Sequence, residues 1–176
     1  MCLIGTILLI PELVIFAYYH YPSDTPKPLQ VQKTTALDPD TVVVMVLDLS
    51  LPISANERTA FLWNTFSNHP AERGLTASSS NVWQYDFKVL SDALVRKAEA
   101  QNLDADSLRK SLVFVMNNSK SNNVFVPEAA YQIKYEGKPI WVITLKWETR
   151  SGILGHIRAF AIDQETIEQL GFMTCG

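Results

Sequence analysis

The chain has 176 residues, 47% hydrophobic and 19% charged, with a formal net charge of −3. That length suits one domain of ~100–150 residues with a short tether. No basic block is present, which excludes a nucleic-acid binder, since such proteins need a Lys/Arg patch to displace counterions. The two cysteines, Cys2 and Cys175, form no disulfide framework and match no zinc-ligand spacing.

In chain order, Leu3 to Tyr19 (LIGTILLIPELVIFAYY) is apolar except for Thr6 and Glu12. A helix of about 17 residues would span roughly 26 Å, near the lower limit for crossing a bilayer. Tyr18, Tyr19 and Tyr21 follow where an interfacial aromatic belt would lie. Pro11 and Glu12 oppose a span, because proline removes a backbone hydrogen bond and a mid-bilayer carboxylate costs ~2.5–3.5 kcal/mol. Residues 1–20 are therefore expected to be a single-pass transmembrane anchor or uncleaved signal segment that meets the lipid bilayer through residues 3–19. A cleaved signal peptide and a buried core helix are the competing readings. The expected localisation is membrane, with the domain extracytoplasmic. Residues 21–40 carry Pro22, Pro26, Pro28 and Pro39, and read as a stiff spacer before an α+β domain at 41–176.

Thr41 to Leu49 (TVVVMVLDL) is a β-branched run that predicts a strand buried on both faces or central to a sheet. Asn56 to Ser67 predicts a short helix, with Ser54 or Asn56 as its cap. Asn68 to Asn81 reads as a loop, and Val82 to Val89 as a strand or the entry to the next helix. Ser91 to Gln101 is the clearest helix, with Leu90, Ala93, Leu94 and Ala98 on one face. Asp104 or Asp106 caps a further turn before Leu112–Met116 (LVFVM), which predicts a strand, and 117–123 reads as a polar loop.

Toward the C-terminus, Tyr131, Ile133 and Tyr135 alternate with polar residues, and Glu136-Gly137-Lys138-Pro139 predicts a turn. Ile140 to Glu148 places Trp141, Ile143, Leu145 and Trp147 on one face, the period of a half-buried antiparallel strand. His156 to Ile162 predicts another strand, and Asp163 a cap for a final helical turn through Ile167 and Leu170. Together these elements predict an α+β fold, an antiparallel β-meander packed against one or two helices.

The run GKPIWVITLKWE followed by HIRAFAIDQETIEQL resembles the repeat of PepSY-type domains, in which a strand pairs with a returning strand that ends in an Asp-x-x-Thr-like turn. The resemblance covers the C-terminal third. It implies an exported or membrane-associated module that binds or inhibits a partner, and it implies no catalytic residues. A cystatin-like or NTF2-like layout of sheet and helices fits the same pattern.

Familiar catalytic and metal-binding patterns fail on particular residues. Asp48-Leu49-Ser50 ends a strand where carboxylates often hold metals or phosphoryl groups, but an adhesion-type metal motif needs serine at position 52, which is proline. An aspartyl phosphatase needs a second Asp at position 50, which is serine. His20, His69 and His156 are not paired at ligand spacing, and Ser78-Ser79-Ser80 lacks the glycines of a nucleophile elbow. No catalytic, cofactor or metal residue is assigned. The expected function is a tethered, non-catalytic module that binds a protein partner or a small ligand. The alternative is an NTF2-like cavity protein, enzyme or carrier, using the scattered polar residues Asp48, Asp86 and His156.

Overall fold

The computed structural model describes residues 38–67, 75–76, 83–119, 124–148 and 153–174, all within one compact unit that runs from Thr34 to Gly176. The expected anchor, most of the spacer, His20, His69, the serine run at 78–80 and both cysteines lie outside the described residues. No helix among the described residues is long and apolar enough to cross a membrane.

A single 3-10 turn at Pro39–Thr41 opens the described chain. Asp38 starts it by accepting from the Asp40 N–H at 2.9 Å. In order there follow β1 (Val43–Ser50), α1 (Ala55–Phe66), β2 (Leu75–Thr76), α2 (Trp83–Ala100), α3 (Ala105–Asn118), β3 (Val124–Tyr135), β4 (Lys138–Glu148), β5 (Ile153–Leu154), β6 (His156–Asp163) and β7 (Gln169–Thr174). The fold is α+β, with a five-stranded mixed sheet in the order β1-β3-β4-β6-β7. β1 runs parallel to β3, and the other neighbours are antiparallel. β2 and β5 form a separate two-stranded ribbon.

Local chemistry explains most boundaries. Ser54 stands at the N-cap position of α1. Asn102 takes the left-handed conformation (φ 56°) that ends α2, a residue type that tolerates it, and the Leu103 N–H closes the end on the Ala98 carbonyl. Asp104 then caps α3 by accepting from the Ser107 N–H at 3.0 Å. Between β3 and β4 both turn residues have positive φ, Glu136 at 50° and Gly137 at 79°, as a two-residue type I′ hairpin requires. The turn is thus Glu136-Gly137, and Lys138 and Pro139 already belong to β4.

Both faces of the sheet are covered. α2 and α3 lie over Trp141, Ile143, Leu145 and Trp147 of β4, together with Phe160 and Ile162 of β6. The buried Trp141 indole donates to Ser107 Oγ at 2.9 Å, which ties α3 to the central strand. On the opposite face, Leu62 and Phe66 of α1 lie over Tyr131, Ile133, Ile140, Val142 and Ala161. Arg58 locks that layer in place: it donates to the carbonyls of Pro52, Ile53 and Leu170 and to the Tyr135 hydroxyl.

Several expectations are corrected. Leu112–Met116 lies inside α3, not in a strand. Leu108, Leu112 and Val115 are buried at helical spacing while Val113 faces out, and a five-residue apolar window is too short to reveal that period. Of the two readings of the stretch before Leu90, the helix entry holds, since Trp83–Val89 begins α2, while Asn117 and Asn118 close α3 instead of opening a loop. The final helical turn is a capped turn followed by strand β7. Asp163 accepts from the N–H groups of Glu165 and Thr166, which holds its carboxyl below the usual range, and Gln169–Thr174 pairs with β6. The meander becomes a mixed sheet because β1 adds in parallel, and three helices, not one or two, flank it. β4 is buried on both faces, not one, because α1 covers the second. Finally, β1 is an edge strand.

Candidate functional site

Three features of the described residues depart from what packing alone requires. The first is β1 itself. Its composition is that of an interior strand, yet Val43, Met45 and Val46 are 40%, 43% and 58% exposed. The first two lie on the α1 face, in line with the half-buried Leu47 and Leu49. α1 sits toward the other side of the sheet, where Thr59 donates to the Phe172 carbonyl of β7, so it leaves these side chains uncovered. Among the described residues, side chains seal the strand's outer backbone at one end. Lys97 donates to the carbonyls of Asp40 and Val42, and Gln101 donates to that of Val44. Beyond Val44 the regular register with β3 is lost between Val46 and Ser50. The result is an apolar strip along a partly open edge, with Val43 and Met45 on its α1 side and Val46 on the opposite side.

The second feature is a buried ion pair. Lys146 of β4 has a side chain only 5% exposed, and its ammonium lies 3.0 Å from Glu128 Oε1. Glu128 falls where the β3–β4 register shifts between Pro127 and Ala129, so a β-bulge presents its carboxylate to Lys146. On the same face, burial pushes the Tyr131 phenol up to about 12, and the charge of Glu128 adds to the shift.

The third lies around Trp147. The His156 ring stands 4.9 Å from the Trp147 ring, across the β4–β6 pair. The Arg158 guanidinium carbon lies over the indole at 4.1 Å. Arg158 Nε donates to Thr174 Oγ1 at 3.4 Å, and His156 Nε2 is 3.7 Å from Glu148 Oε2. Partial burial lowers the pKa of Arg158.

The sequence-derived candidates fall in different places. Asp48 lies near the end of β1 with its side chain 97% exposed, 3.3 Å from Lys134. His156 pairs with Trp147, which pairs with Phe125 at the other end of β3. Nine residues of β3 separate Phe125 from Lys134, roughly 30 Å at strand rise. The structure therefore does not bring Asp48 and His156 together. Asp86 lies in the first turn of α2 beside Phe87, whose ring meets Phe125, and so sits toward the His156 end. Among the described residues, no three His, Cys, Asp or Glu side chains are grouped to hold a metal ion.

Sequence reading passed over Glu128, Lys146 and Arg158, because a charged residue within an alternating strand reads as its solvent face. Lys146 and Glu128 become visible only once both faces of β4 are known to be covered. The only advance signal for Arg158 was its place two residues after His156, on the same face as Trp147. Comparison of the chain with family models, with curated proteins and with solved structures finds no match in any of the three.

Proposed function

We propose that this protein is a membrane-tethered, non-catalytic binding module whose protein partner covers the β1 strip. One observation carries the reading: the most strand-like run in the chain, of interior composition, stands at a sheet edge with Val43, Met45 and Val46 uncovered. Exposed apolar strips of this kind mark interaction surfaces, and natural edge strands otherwise carry charge or proline. The partner contributes apolar side chains to Met45 and Val46 and a basic group to the exposed Asp48.

The tether is read from Leu3–Tyr19 and the proline-rich residues that follow, which lead directly to the turn before β1. Likeness to PepSY-type modules belongs to the same proposal. It is supported by the antiparallel β4–β6 pair and by the turn in which Asp163 accepts from the Thr166 N–H.

Two experiments test the reading. In alkaline carbonate extraction the full chain stays with the membrane, while residues 34–176 are soluble and folded; release of the full chain rejects the tether. In native complexes from the source membrane, Met45→Glu with Val46→Glu dissociates the partner while the domain keeps its melting profile. Retention of an intact complex by that variant rejects the β1 interface.

A further inference from the structure

The cluster around Trp147 has a property that the β1 reading does not use. Two other arginines of the fold have their donors engaged, and Arg96 stands exposed on α2. Arg58 uses its guanidinium on three carbonyls and the Tyr135 hydroxyl. Arg109 lies between Glu99 and Asp106. Arg158 differs: among the described residues its one side-chain hydrogen bond runs from Nε to Thr174, neither Nη nitrogen has an acceptor, and no carboxylate lies within ion-pair distance.

Its orientation is nonetheless fixed. Trp147 supports the guanidinium from below, Thr174 on the neighbouring strand holds Nε, and all three residues stand on paired strands rather than loops. The rotamer entropy of a long side chain has therefore already been given up, which is what favours a bound group over a solvated one. A half-buried cation without a counter-ion is also destabilised, and an arriving anion would relieve that cost.

We infer that Arg158, held on Trp147 and Thr174, is a binding site for a carboxylate group, which its two Nη donors grip as a fork. The choice of carboxylate follows from charge and shape. The site offers one permanent cation, matching a monoanion, and the planar guanidinium edge fits two coplanar oxygens. Glu148, beside His156, keeps the surrounding field from favouring a dianion such as phosphate. The site lies at the β4–β6–β7 end, on the face of α2 and α3, and stands independently of the β1 interface.

The test follows the Arg158 Nε–H resonance of the full chain in maltoside micelles, titrated with sodium acetate, acetamide, sodium phosphate and sodium chloride. The expected result is a saturable shift with acetate, none with acetamide, and no tighter binding of phosphate than of acetate. Arg158→Lys keeps the charge but loses the fork. Followed through the Trp147 indole N–H, its acetate affinity should drop about tenfold, the equivalent of one lost charge-assisted hydrogen bond. Thr174→Val, which frees Nε, should weaken acetate binding while leaving the fold unchanged. The inference is overturned if acetate and chloride act alike as ionic strength, if acetamide matches acetate, if phosphate binds more tightly, or if Arg158→Lys binds acetate as the wild type does.

Discussion

Truncating either partner of the Glu128–Lys146 pair removes the same ion pair, yet the two changes should have very different costs. Glu128→Gln leaves an ammonium whose side chain is 5% exposed, walled in by β3 and β4, with no carboxylate to neutralise it. Leaving one charge of a buried pair uncompensated costs ~3–5 kcal/mol, and the lower end applies because the amide can still accept one hydrogen bond from Lys146. Lys146→Met instead leaves Glu128, whose side chain is 25% exposed and so reaches water at the bulge. Methionine fills the lysine stem's space, and the expected cost is ~1 kcal/mol. The double variant carries no buried charge and should fall within ~1 kcal/mol of the wild type, a coupling of about 3 kcal/mol. Urea denaturation of residues 34–176, with unchanged slopes, measures all four species. Equal costs for the two single variants, or simple additivity in the double, would refute the assignment of Lys146 as the deeply buried partner.

Other expectations follow from the packing and the titrating groups. Leu62 of α1 is fully buried against the sheet, so Leu62→Ala should cost ~2–5 kcal/mol. A Cβ placed on Gly171 would lie 3.2 Å from Leu62 Cδ1, so Gly171→Ala alone is mildly unfavourable but should recover part of the Leu62→Ala loss, which a double-mutant cycle by thermal melting would show. Asp163 has its folded-state pKa lowered by the Thr166 N–H bond, so its contribution is complete above the unfolded value of about 3.9 and fades as pH falls through the lower folded value. The stability difference between wild type and Asp163→Asn should therefore be flat near neutrality and shrink in acid; a flat difference down to the acid transition would count against the capped turn. For Tyr131 the sign is reversed: with the folded phenol at about 12, stability should decline as pH rises above the unfolded value of about 10. Ultraviolet titration should show a late phenolate step that Tyr131→Phe removes.

The parts of the fold legible in the sequence are those whose signals are local. The alternation from Trp141 to Trp147 and the α2 face of Leu90, Ala93, Leu94 and Ala98 depend only on near neighbours, and both appear where the pattern put them, while the turn expected over Glu136–Pro139 is the shorter Glu136-Gly137. What was not legible depends on partners far along the chain. Whether Val43–Ser50 stands at the centre or the edge is decided by β3, more than seventy residues away, and a β-branched run reads the same in either place. The Gln169–Thr174 strand exists because β6 offers its edge and Gly171 lets α1 approach. Glu128 reaches Lys146 through a bulge that no residue pattern announces. The Arg158 site needs Trp147, Arg158 and Thr174 from three strands, and the sequence pattern marks only Trp147, as a core residue.

The central claim is that a partner covers β1, and site-specific photocrosslinking in the full chain tests it most directly. A photoreactive residue at Met45 or Val46 is compared with one at Val113, an equally exposed apolar position on α3 (55%) with no place in the strip. The account predicts one discrete adduct from positions 45 and 46, lost when Asp48 is changed to Lys, and none from position 113. Equal labelling at all three positions, or no adduct from β1 under conditions where the tethered protein is intact, would contradict it.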